Sequence, residues 1–323
     1  MTCARALLVL SLPLALAPTP LRADAPPAPP DVGAPAAPDP SFPTRGWPVS
    51  DPAKAGLSAP ALVALEAYLF PPARPDRGGV RTDAVLLIHH RTLVYERYAN
   101  GYGPASRHYG WSMTKSLINA LIGVAEAEGR LRRSDPVDAI DPRLRRPNLA
   151  GLTVDHLLHL SSGLAWEETY EYSPLRSSVL AMLYTAGAAD MAAFVAGFPR
   201  AFPPGVHFRY SSGDTNLLAS LLKARLPRAE HDAFPFTRLF QPLGMDSAVL
   251  EQDQSGTFVG SSYWYATARD FAKFGFLFLN NGAWAGRQLL PPDWVAYSTK
   301  VAAAFAGTPA PDHDPTDVPG ALW

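Results

Sequence analysis

Early in the chain, the apolar positions follow the period of a β-strand. Residues 84–89 are apolar and rich in β-branched and aliphatic side chains, and residues 92–98 alternate apolar and polar positions. Such runs predict two strands. His90 and Arg91 lie between them and predict a tight turn, so a hairpin is expected at residues 84–98.

From Gly110 onward the apolar spacing is mostly helical. The strongest pattern predicts a helix from about residue 113 to residue 128, which Gly129 would end. Ser58 precedes another helical stretch as a candidate N-cap. Strands come first and helices follow without regular alternation, which favours the α+β class over a doubly wound parallel sheet. The other predicted helices are at residues 57–69, 154–160, 179–183, 191–196, 216–226, 267–279 and 292–299.

The first residues have the pattern of a signal peptide. Arg5 provides a positive charge before an apolar run that is too short to span a bilayer, and small residues follow the run. We therefore predict a signal peptide at residues 1–25, a Pro/Ala-rich disordered linker at residues 26–46 and one folded domain at residues 47–323. A periplasmic or secreted protein without stable membrane insertion is expected after cleavage. An uncleaved anchor or a buried helix is the alternative.

Composition narrows the classes of partner. The 323 residues are 47% hydrophobic and carry a formal net charge of -1, without a long basic or acidic run. This balance disfavours nucleic-acid binding and electrostatic attachment to membranes, and it favours a small-molecule or peptide substrate. Cys3 is the single cysteine and precedes the apolar run, so the mature chain would have no thiol nucleophile and no cysteine-ligated metal.

Ser112-Met113-Thr114-Lys115 is an S-x-x-K motif at the predicted start of the long helix. Residues i and i+3 share a helix face, so the Ser112 hydroxyl and the Lys115 amine can meet. A neutral lysine can take the proton of a serine nucleophile, whereas arginine stays protonated. A serine that caps the helix, with a solvated lysine, is the alternative interpretation.

A second copy of the motif, Ser220-Leu221-Leu222-Lys223, is interpreted as structural. Ser220 falls in the middle of a predicted helix among leucines, where its hydroxyl would not meet a substrate. We expect Lys223 to direct its amine to water.

Tyr210-Ser211-Ser212 follows a Pro-Pro-Gly turn and precedes a predicted helix. In an extended loop, residues i and i+2 point the same way, so Tyr210 and Ser212 are predicted to face one cleft. Beside Lys115, Tyr210 would be able to relay protons. A loop tyrosine packed on the core is the alternative.

Further segments accompany the motif at Ser112. They are LLHLSSGL at residues 157–164, PG at 204–205 followed by YSS at 210–212, PLGM at 242–245 and TARDFAK at 267–273. Taken together, these segments resemble the serine β-lactamases and penicillin-binding proteins, and within that family the class C-like branch of 6-aminohexanoate-dimer hydrolases and related esterases. The resemblance extends from about residue 57 to the end of the chain, and the segments occur in the family's order, which is far more specific than S-x-x-K alone.

The resemblance implies an antiparallel sheet flanked by helices, plus a helical subdomain. It also implies a serine hydrolase in which Ser112 attacks an amide or ester carbonyl. Lys115 and Tyr210 would move the proton to the leaving group, and water would hydrolyse the acyl-enzyme. No metal and no organic cofactor is implied; His156 and His159 share a helix face but lack a third ligand, so they are interpreted as core or surface residues.

Three residues are predicted to contact the substrate. Tyr170 matches a position of the esterase branch where a tyrosine lies near the substrate, and a core or rim aromatic residue is the alternative. Ser212 is expected to face the same cleft as Tyr210, and Trp111 is expected to line it.

The sequence departs from the family in one respect. The third family motif, a Lys/His-Thr/Gly-Gly-type triplet on a late strand, does not occur in it. Its position and the family's final strands should lie beyond Trp323, so we expect a truncated or frameshifted member that is poorly stable and weakly active or inactive. A D-alanyl peptidase or penicillin-binding protein, and a binding module that has lost its chemistry, are the alternative functions.

Overall fold

The computed structural model describes residues 42–72, 81–170, 176–306 and 320–322. The predicted signal peptide and residues 26–41 of the predicted linker lie outside the described residues. Within the described ranges, no helix combines the length and apolar character needed to cross a membrane. The α-helices are α1 Ala59–Leu69, α2 Met113–Ala127, α3 Val137–Ile140, α4 Val154–Leu158, α5 Ser178–Tyr184, α6 Met191–Val195, α7 Ser212–Arg225, α8 Arg228–Pro235, α9 Gln241–Leu243, α10 Ala268–Leu279, α11 Trp294–Thr299 and α12 Ala303–Ala306. The strands are β1 Ala84–His89, β2 Thr92–Tyr98, β3 Arg107–Tyr109, β4 Val249–Leu250, β5 Trp264–Thr267, β6 Ala283–Trp284 and β7 Arg287–Gln288.

The first two strands form the predicted hairpin. β1 and β2 pair in antiparallel fashion, with His89 opposite Thr92. His90 and Arg91 have φ values of 47° and 66°, as in a type I′ turn, whose twist matches that of the flanking strands. The hairpin prediction is confirmed, and α10 packs against β1. Helices and antiparallel strands in this order also confirm the α+β class.

A second, antiparallel sheet has the strand order β3-β5-β4. Its strands are only two to four residues long, too short for an alternating pattern to predict. Gly110, just after β3, donates its N–H to the Trp264 carbonyl at 2.6 Å, and a Cβ at Gly110 would lie 2.7 Å from the same oxygen. Glycine is therefore required for this close approach, which fixes the start of α2 beside the sheet.

Helix α2 packs against α7 in the core. Leu117, Ile118 and Leu121 of α2 have no exposed surface, and burying such a side chain stabilises a fold by roughly 1.5–3 kcal/mol. The helix ends at Ala127, and Gly129 adopts a φ of 68°, the left-handed conformation that commonly ends helices. The predicted helix from about residue 113 to residue 128 and its predicted end at Gly129 are both confirmed.

Helix α7 begins at Ser212 rather than at the predicted residue 216. Ser211 is its N-cap, because the Ser211 hydroxyl accepts the backbone N–H of Asp214 at 3.0 Å. The Asp214 side chain in turn accepts the Ser211 hydroxyl at 2.9 Å, so the two residues form a reciprocal pair at the start of the helix. The prediction of an extended loop through Ser212 is therefore wrong.

The second S-x-x-K copy lies in the core, as predicted, but its lysine does not turn to solvent. Ser220 is 1% exposed and donates its hydroxyl to the Leu217 carbonyl. Lys223 donates to the carbonyl of Ser255 and to the Thr257 hydroxyl. The prediction that its amine turns to water is wrong, because these two oxygens lie within reach of α7.

The N-terminal end of the fold differs from prediction at two positions. Pro43–Arg45 form a 3-10 turn inside the predicted linker, and Thr44 accepts a hydrogen bond from Trp284 Nε1 at 2.8 Å. The folded part therefore begins before residue 47. Ser58 stands at the N-terminus of α1, but its side chain makes no capping hydrogen bond there.

Candidate active site

Ser112 stands at the N-terminus of α2 and is exposed. Trp111, directly before it, has a φ of 42°, a conformation that residues with bulky side chains rarely adopt. Such backbone strain costs of order 1–3 kcal/mol and concentrates at functional sites. The Ser112 side chain makes no capping hydrogen bond, so the alternative of a capping serine is wrong.

The Lys115 amine is held between three oxygen atoms. Its Nζ lies 3.2 Å from Ser112 Oγ, 3.1 Å from Ser212 Oγ and 3.2 Å from the Ser261 carbonyl oxygen. Lys115 is 2% exposed, so the alternative of a solvated lysine is wrong. The buried amine is fixed directly beside the Ser112 hydroxyl.

Tyr210 lies on another side of the same amine. Lys115 Nζ is 4.9 Å from the centroid of the Tyr210 ring, so the amine contacts the ring. The structure thus brings Ser112, Lys115 and Tyr210 together. The amine meets the face of the ring, and in the described part of the chain no hydrogen bond joins the phenol to Ser112 or Lys115.

Glu168 belongs to the same group of side chains, although pattern-based reasoning missed it. Its Oε1 accepts the Ser212 hydroxyl at 2.5 Å and the Tyr170 phenol at 3.2 Å. Its Oε2 accepts the Ser212 backbone N–H at 2.9 Å and the Trp166 indole N–H at 2.5 Å. The carboxylate is therefore linked to the lysine through Ser212. The family resemblance included the segment Glu168-Thr169-Tyr170, but it implied a role for the tyrosine alone.

Ser212 lies on the buried side of Lys115 and not on the solvent-exposed side of the site. It has no exposed surface, and its hydroxyl lies between the Lys115 amine and the Glu168 carboxylate. This placement corrects the prediction that Ser212 contacts the substrate. The physical reason is that α7 begins at Ser212, and the first helical turn directs the side chain inward.

The other two predicted substrate contacts are at the surface. Tyr170 is 45% exposed, and Trp111 is 48% exposed. The Trp111 ring stacks on Tyr109 with the ring centroids 5.2 Å apart. Burial, followed by the negative charge of Glu168, raises the pKa of Tyr170. Its phenol therefore stays protonated at neutral pH and donates to Glu168.

Asn216 holds the loop that supplies the Ser261 carbonyl. Its Nδ2 donates to the Ser212 carbonyl at 2.9 Å and to the Ser261 hydroxyl at 3.0 Å, and its Oδ1 accepts the Gly260 N–H at 3.1 Å. Asn216 is 1% exposed, so water cannot easily replace these bonds. A backbone carbonyl leaves no sequence signal, which is why Ser261 was not predicted.

A buried carboxyl group lies next to this network, at Asp214 in the first turn of α7. Its oxygens accept the hydroxyls of Ser162 at 2.8 Å and of Ser211 at 2.9 Å. Burial raises the pKa of Asp214 to about 7, because an anion is poorly solvated in the interior. Asp214 thereby joins the LSSGL segment to the start of α7.

The two neighbouring histidines make local hydrogen bonds. His156 Nδ1 accepts the Thr153 backbone N–H at 3.2 Å and completes a capping box at the start of α4. The His159 ring lies 3.0 Å from the Asp155 carbonyl oxygen. Over the described ranges, no three His, Cys, Asp or Glu side chains are arranged to hold a metal ion.

Comparison with known proteins adds a family and several relatives. The family described as Beta-lactamase matches residues 71–317. The 6-aminohexanoate-dimer hydrolase of Paenarthrobacter ureafaciens is 27% identical over 223 residues, which cover 66% of this chain and 56% of the relative. The chain therefore spans little more than half the length of this curated relative.

Solved structures show the same fold. The chain is 26% identical to the "Putative 6-aminohexanoate-dimer hydrolase from Bacillus anthracis", with a TM-score of 0.61 and coverage of 70% of this chain and 62% of that one. A D-stereospecific amidohydrolase from Streptomyces sp. has a TM-score of 0.53 at 18% identity, and the match covers 71% of this chain and 73% of the other. At that identity the likeness concerns the fold alone.

Proposed function

This chain belongs to the beta-lactamase family, and we propose that it is a serine hydrolase that cleaves an amide or ester through an acyl-serine at Ser112. The observation that carries the proposal is the buried Lys115 amine, 3.2 Å from the Ser112 hydroxyl oxygen. Serine needs a neighbouring base to become a nucleophile. Lys115 is 2% exposed and fixed by three oxygens, which supports this role for it.

Acylation begins with attack of Ser112 Oγ on the substrate carbonyl carbon. The O–H bond of Ser112 breaks, and its proton passes to a neutral Lys115 amine. The new C–O bond gives a tetrahedral oxyanion, to which the Ser112 backbone N–H donates at the positive end of α2. Collapse of this intermediate breaks the bond to the leaving group and leaves an ester at Ser112.

Tyr210 returns the proton to the leaving group. Its ring already lies against the amine, at 4.9 Å from Nζ to the centroid. Rotation of this partly exposed side chain brings the phenol between Lys115 and the departing nitrogen or oxygen. The same two groups then take a proton from water, which attacks the acyl-serine and releases the acid.

The exposed aromatic residues around Ser112 bind the substrate. Trp111 and Tyr170 are each nearly half exposed, and they offer flat apolar surfaces with polar edges. Ser212 has a different role, because its buried hydroxyl positions the Lys115 amine. These surfaces support a small-molecule or peptide amide or ester as the substrate, and the 6-aminohexanoate dimer named in the relatives is the first amide to test.

Covalent labelling tests the proposal. The protein is incubated with a fluorophosphonate or with a penicillin, and intact mass reports any adduct. We expect a fluorophosphonate adduct that Ser112→Ala abolishes and Ser220→Ala retains. Ser220 is the matched control because it heads the second S-x-x-K copy but is 1% exposed.

Each labelling result separates one function from the others. A fluorophosphonate adduct without a penicillin adduct supports an esterase or amidase. A stable penicillin adduct at Ser112 indicates a D-alanyl peptidase or penicillin-binding protein instead. Folded protein that forms no adduct with either reagent contradicts a hydrolase and indicates a binding module.

We also propose that the protein is exported. The proposal rests on Arg5 and the apolar run after it. N-terminal sequencing of the protein expressed with its own first residues tests it, and a mature N-terminus near residue 26 in the secreted or periplasmic fraction is the expected result. Intact protein retained inside the cell contradicts export.

A further inference from the structure

We infer that Glu168 is a positioning residue that acts through Ser212 to aim the lone pair of the Lys115 amine at Ser112. The inference rests on the proposed serine hydrolase function, because it concerns how the lysine becomes a base. It follows from the direction of each hydrogen bond around the amine.

The direction of the Ser212 hydroxyl is fixed by Glu168. Ser212 Oγ lies 2.5 Å from Glu168 Oε1 and 3.1 Å from Lys115 Nζ. An ionised carboxylate can only accept hydrogen bonds, so the hydroxyl hydrogen points to Glu168. The Ser212 oxygen must then accept a hydrogen from the lysine.

This direction leaves one arrangement for a neutral amine. A neutral lysine has two N–H hydrogens and one lone pair, and its Nζ is surrounded by three oxygens. Ser212 Oγ accepts one hydrogen and the Ser261 carbonyl, which has no hydrogen to give, accepts the other. The lone pair therefore points to the third oxygen, Ser112 Oγ at 3.2 Å. The Ser112 hydrogen is accordingly directed to the base that takes it.

Glu168 is itself held in place by donors on both oxygens. Oε2 accepts N–H groups from Trp166 and from the Ser212 backbone, at 2.5 and 2.9 Å. Oε1 accepts the Tyr170 phenol at 3.2 Å in addition to the Ser212 hydroxyl. Because Ser212 has no exposed surface, water does not compete for the bridging position.

Glu168→Gln tests the direction of the bonds without a change of shape. Two N–H groups face the Oε2 position, so the glutamine oxygen takes that side and its NH2 group faces Ser212. The NH2 group then donates to Ser212 Oγ, whose hydrogen must turn to the Lys115 lone pair. We expect the rate of Ser112 acylation by the fluorophosphonate to fall by roughly 10- to 100-fold, with little change in half-saturation and in Tm.

Matched variants separate this role from a general structural one. Glu167→Gln removes the same charge one residue earlier, at an exposed carboxylate that accepts from Thr169, and we expect an unchanged rate. In a Ser212→Ala background, Glu168→Gln should lower the rate by less than about twofold, because two residues that act through one path are not additive. A purely structural glutamate would be replaced well by its isostere in both backgrounds.

The outcomes distinguish a failure of the proposed hydrolase function from a failure of the inference about Glu168. A wild-type protein that is not acylated at Ser112 overturns both the proposed function and the inference. A wild type that is acylated, with Glu168→Gln within about twofold of it, overturns the inference alone. The inference is also overturned if Glu168→Gln lowers the acylation rate as much in the Ser212→Ala background as in the wild type. If Glu168→Gln does not fold, Ser212→Ala replaces it: at least a fivefold slower acylation at unchanged Tm supports the inference, and a wild-type rate overturns it.

Discussion

Gly163 lies so close to Phe202 that a Cβ at this glycine would be 2.0 Å from the Phe202 carbonyl oxygen. Gly163 also has a φ of 75°, and its own carbonyl accepts the N–H groups of Ala201 and Phe202. Both the backbone conformation and the close approach therefore require glycine. Gly163 directly follows Ser162, the partner of buried Asp214, so this contact supports the first turn of α7.

Gly163→Ala should destabilise the protein severely. The left-handed conformation costs an alanine about 1–2 kcal/mol, and the overlap with a backbone oxygen costs at least as much again. We expect the free energy of unfolding in urea to fall by about 3 kcal/mol or more. Gly275→Ala is the control, since Gly275 lies in α10 and has open space where a Cβ would be added. This substitution should stabilise the protein by up to about 1 kcal/mol. Similar effects of the two substitutions would contradict the strain assigned to Gly163.

The strain at Trp111 predicts an inverted order of two small substitutions. Trp111→Gly and Trp111→Ala remove the same ring, but only glycine adopts a φ of 42° without cost. Urea unfolding should show Trp111→Gly to be the more stable by about 1 kcal/mol. At exposed Tyr68 in α1 the order should be the usual one, with alanine more stable than glycine by about 1 kcal/mol. The same order at both positions would rule out strain at Trp111.

Tyr210→Phe separates the ring of Tyr210 from its phenol. The ring contact with the Lys115 amine, 4.9 Å from centroid to Nζ, is retained in phenylalanine. If the phenol carries the proton, kcat should fall by roughly 100-fold while Tm stays within about 2 °C of the wild type. Steady-state kinetics on an ester substrate measures this. A kcat within twofold of the wild type would leave the ring as the only contribution of Tyr210.

Asp214 predicts that part of the stability is lost as the pH rises. Burial raises the pKa of Asp214 to about 7 from 3.8, so between these values the folded state binds more protons than the unfolded state. The stability from this group is present below about pH 4 and is lost as the pH passes through about 7. Urea unfolding should give a higher free energy at pH 5 than at pH 8, with a contribution from Asp214 of at most about 3 kcal/mol.

Comparison of two variants isolates that contribution. Asp214→Asn should lose the difference between pH 5 and pH 8 that Asp214 provides. Asp246→Asn, at an exposed aspartate, should retain it. An equal pH dependence in the wild type and in Asp214→Asn would show that other groups cause it.

The sequence predicted those parts of the site that depend on local periodicity. Ser112 and Lys115 are three positions apart on one long amphipathic helix, so their meeting follows from helix geometry. The hairpin was equally predictable, because its alternation and its turn residues lie within 15 consecutive positions of the chain, from Ala84 to Tyr98.

The remaining site residues come together only through the tertiary fold. Glu168 reaches Ser212 across 44 positions, and Lys115 reaches the Ser261 carbonyl across 146. No local pattern encodes such distances, and a carbonyl group is the same for every residue type. The start of α7 was misplaced because Ser211 and Asp214 were not recognised as its capping pair, which also put Ser212 on the wrong side of the site.

The oxygen atoms around the Lys115 amine come from Ser112 just before α2, from α7 and from the loop before β5. The orientation of the amine consequently depends on how these segments pack against one another. A displacement of about 1 Å between them is enough to disrupt a reactive geometry. Heating is expected to weaken the packing between these segments at temperatures below that of global unfolding. The temperature of fastest turnover should therefore fall well short of the calorimetric transition, and the lost rate should return at once on cooling.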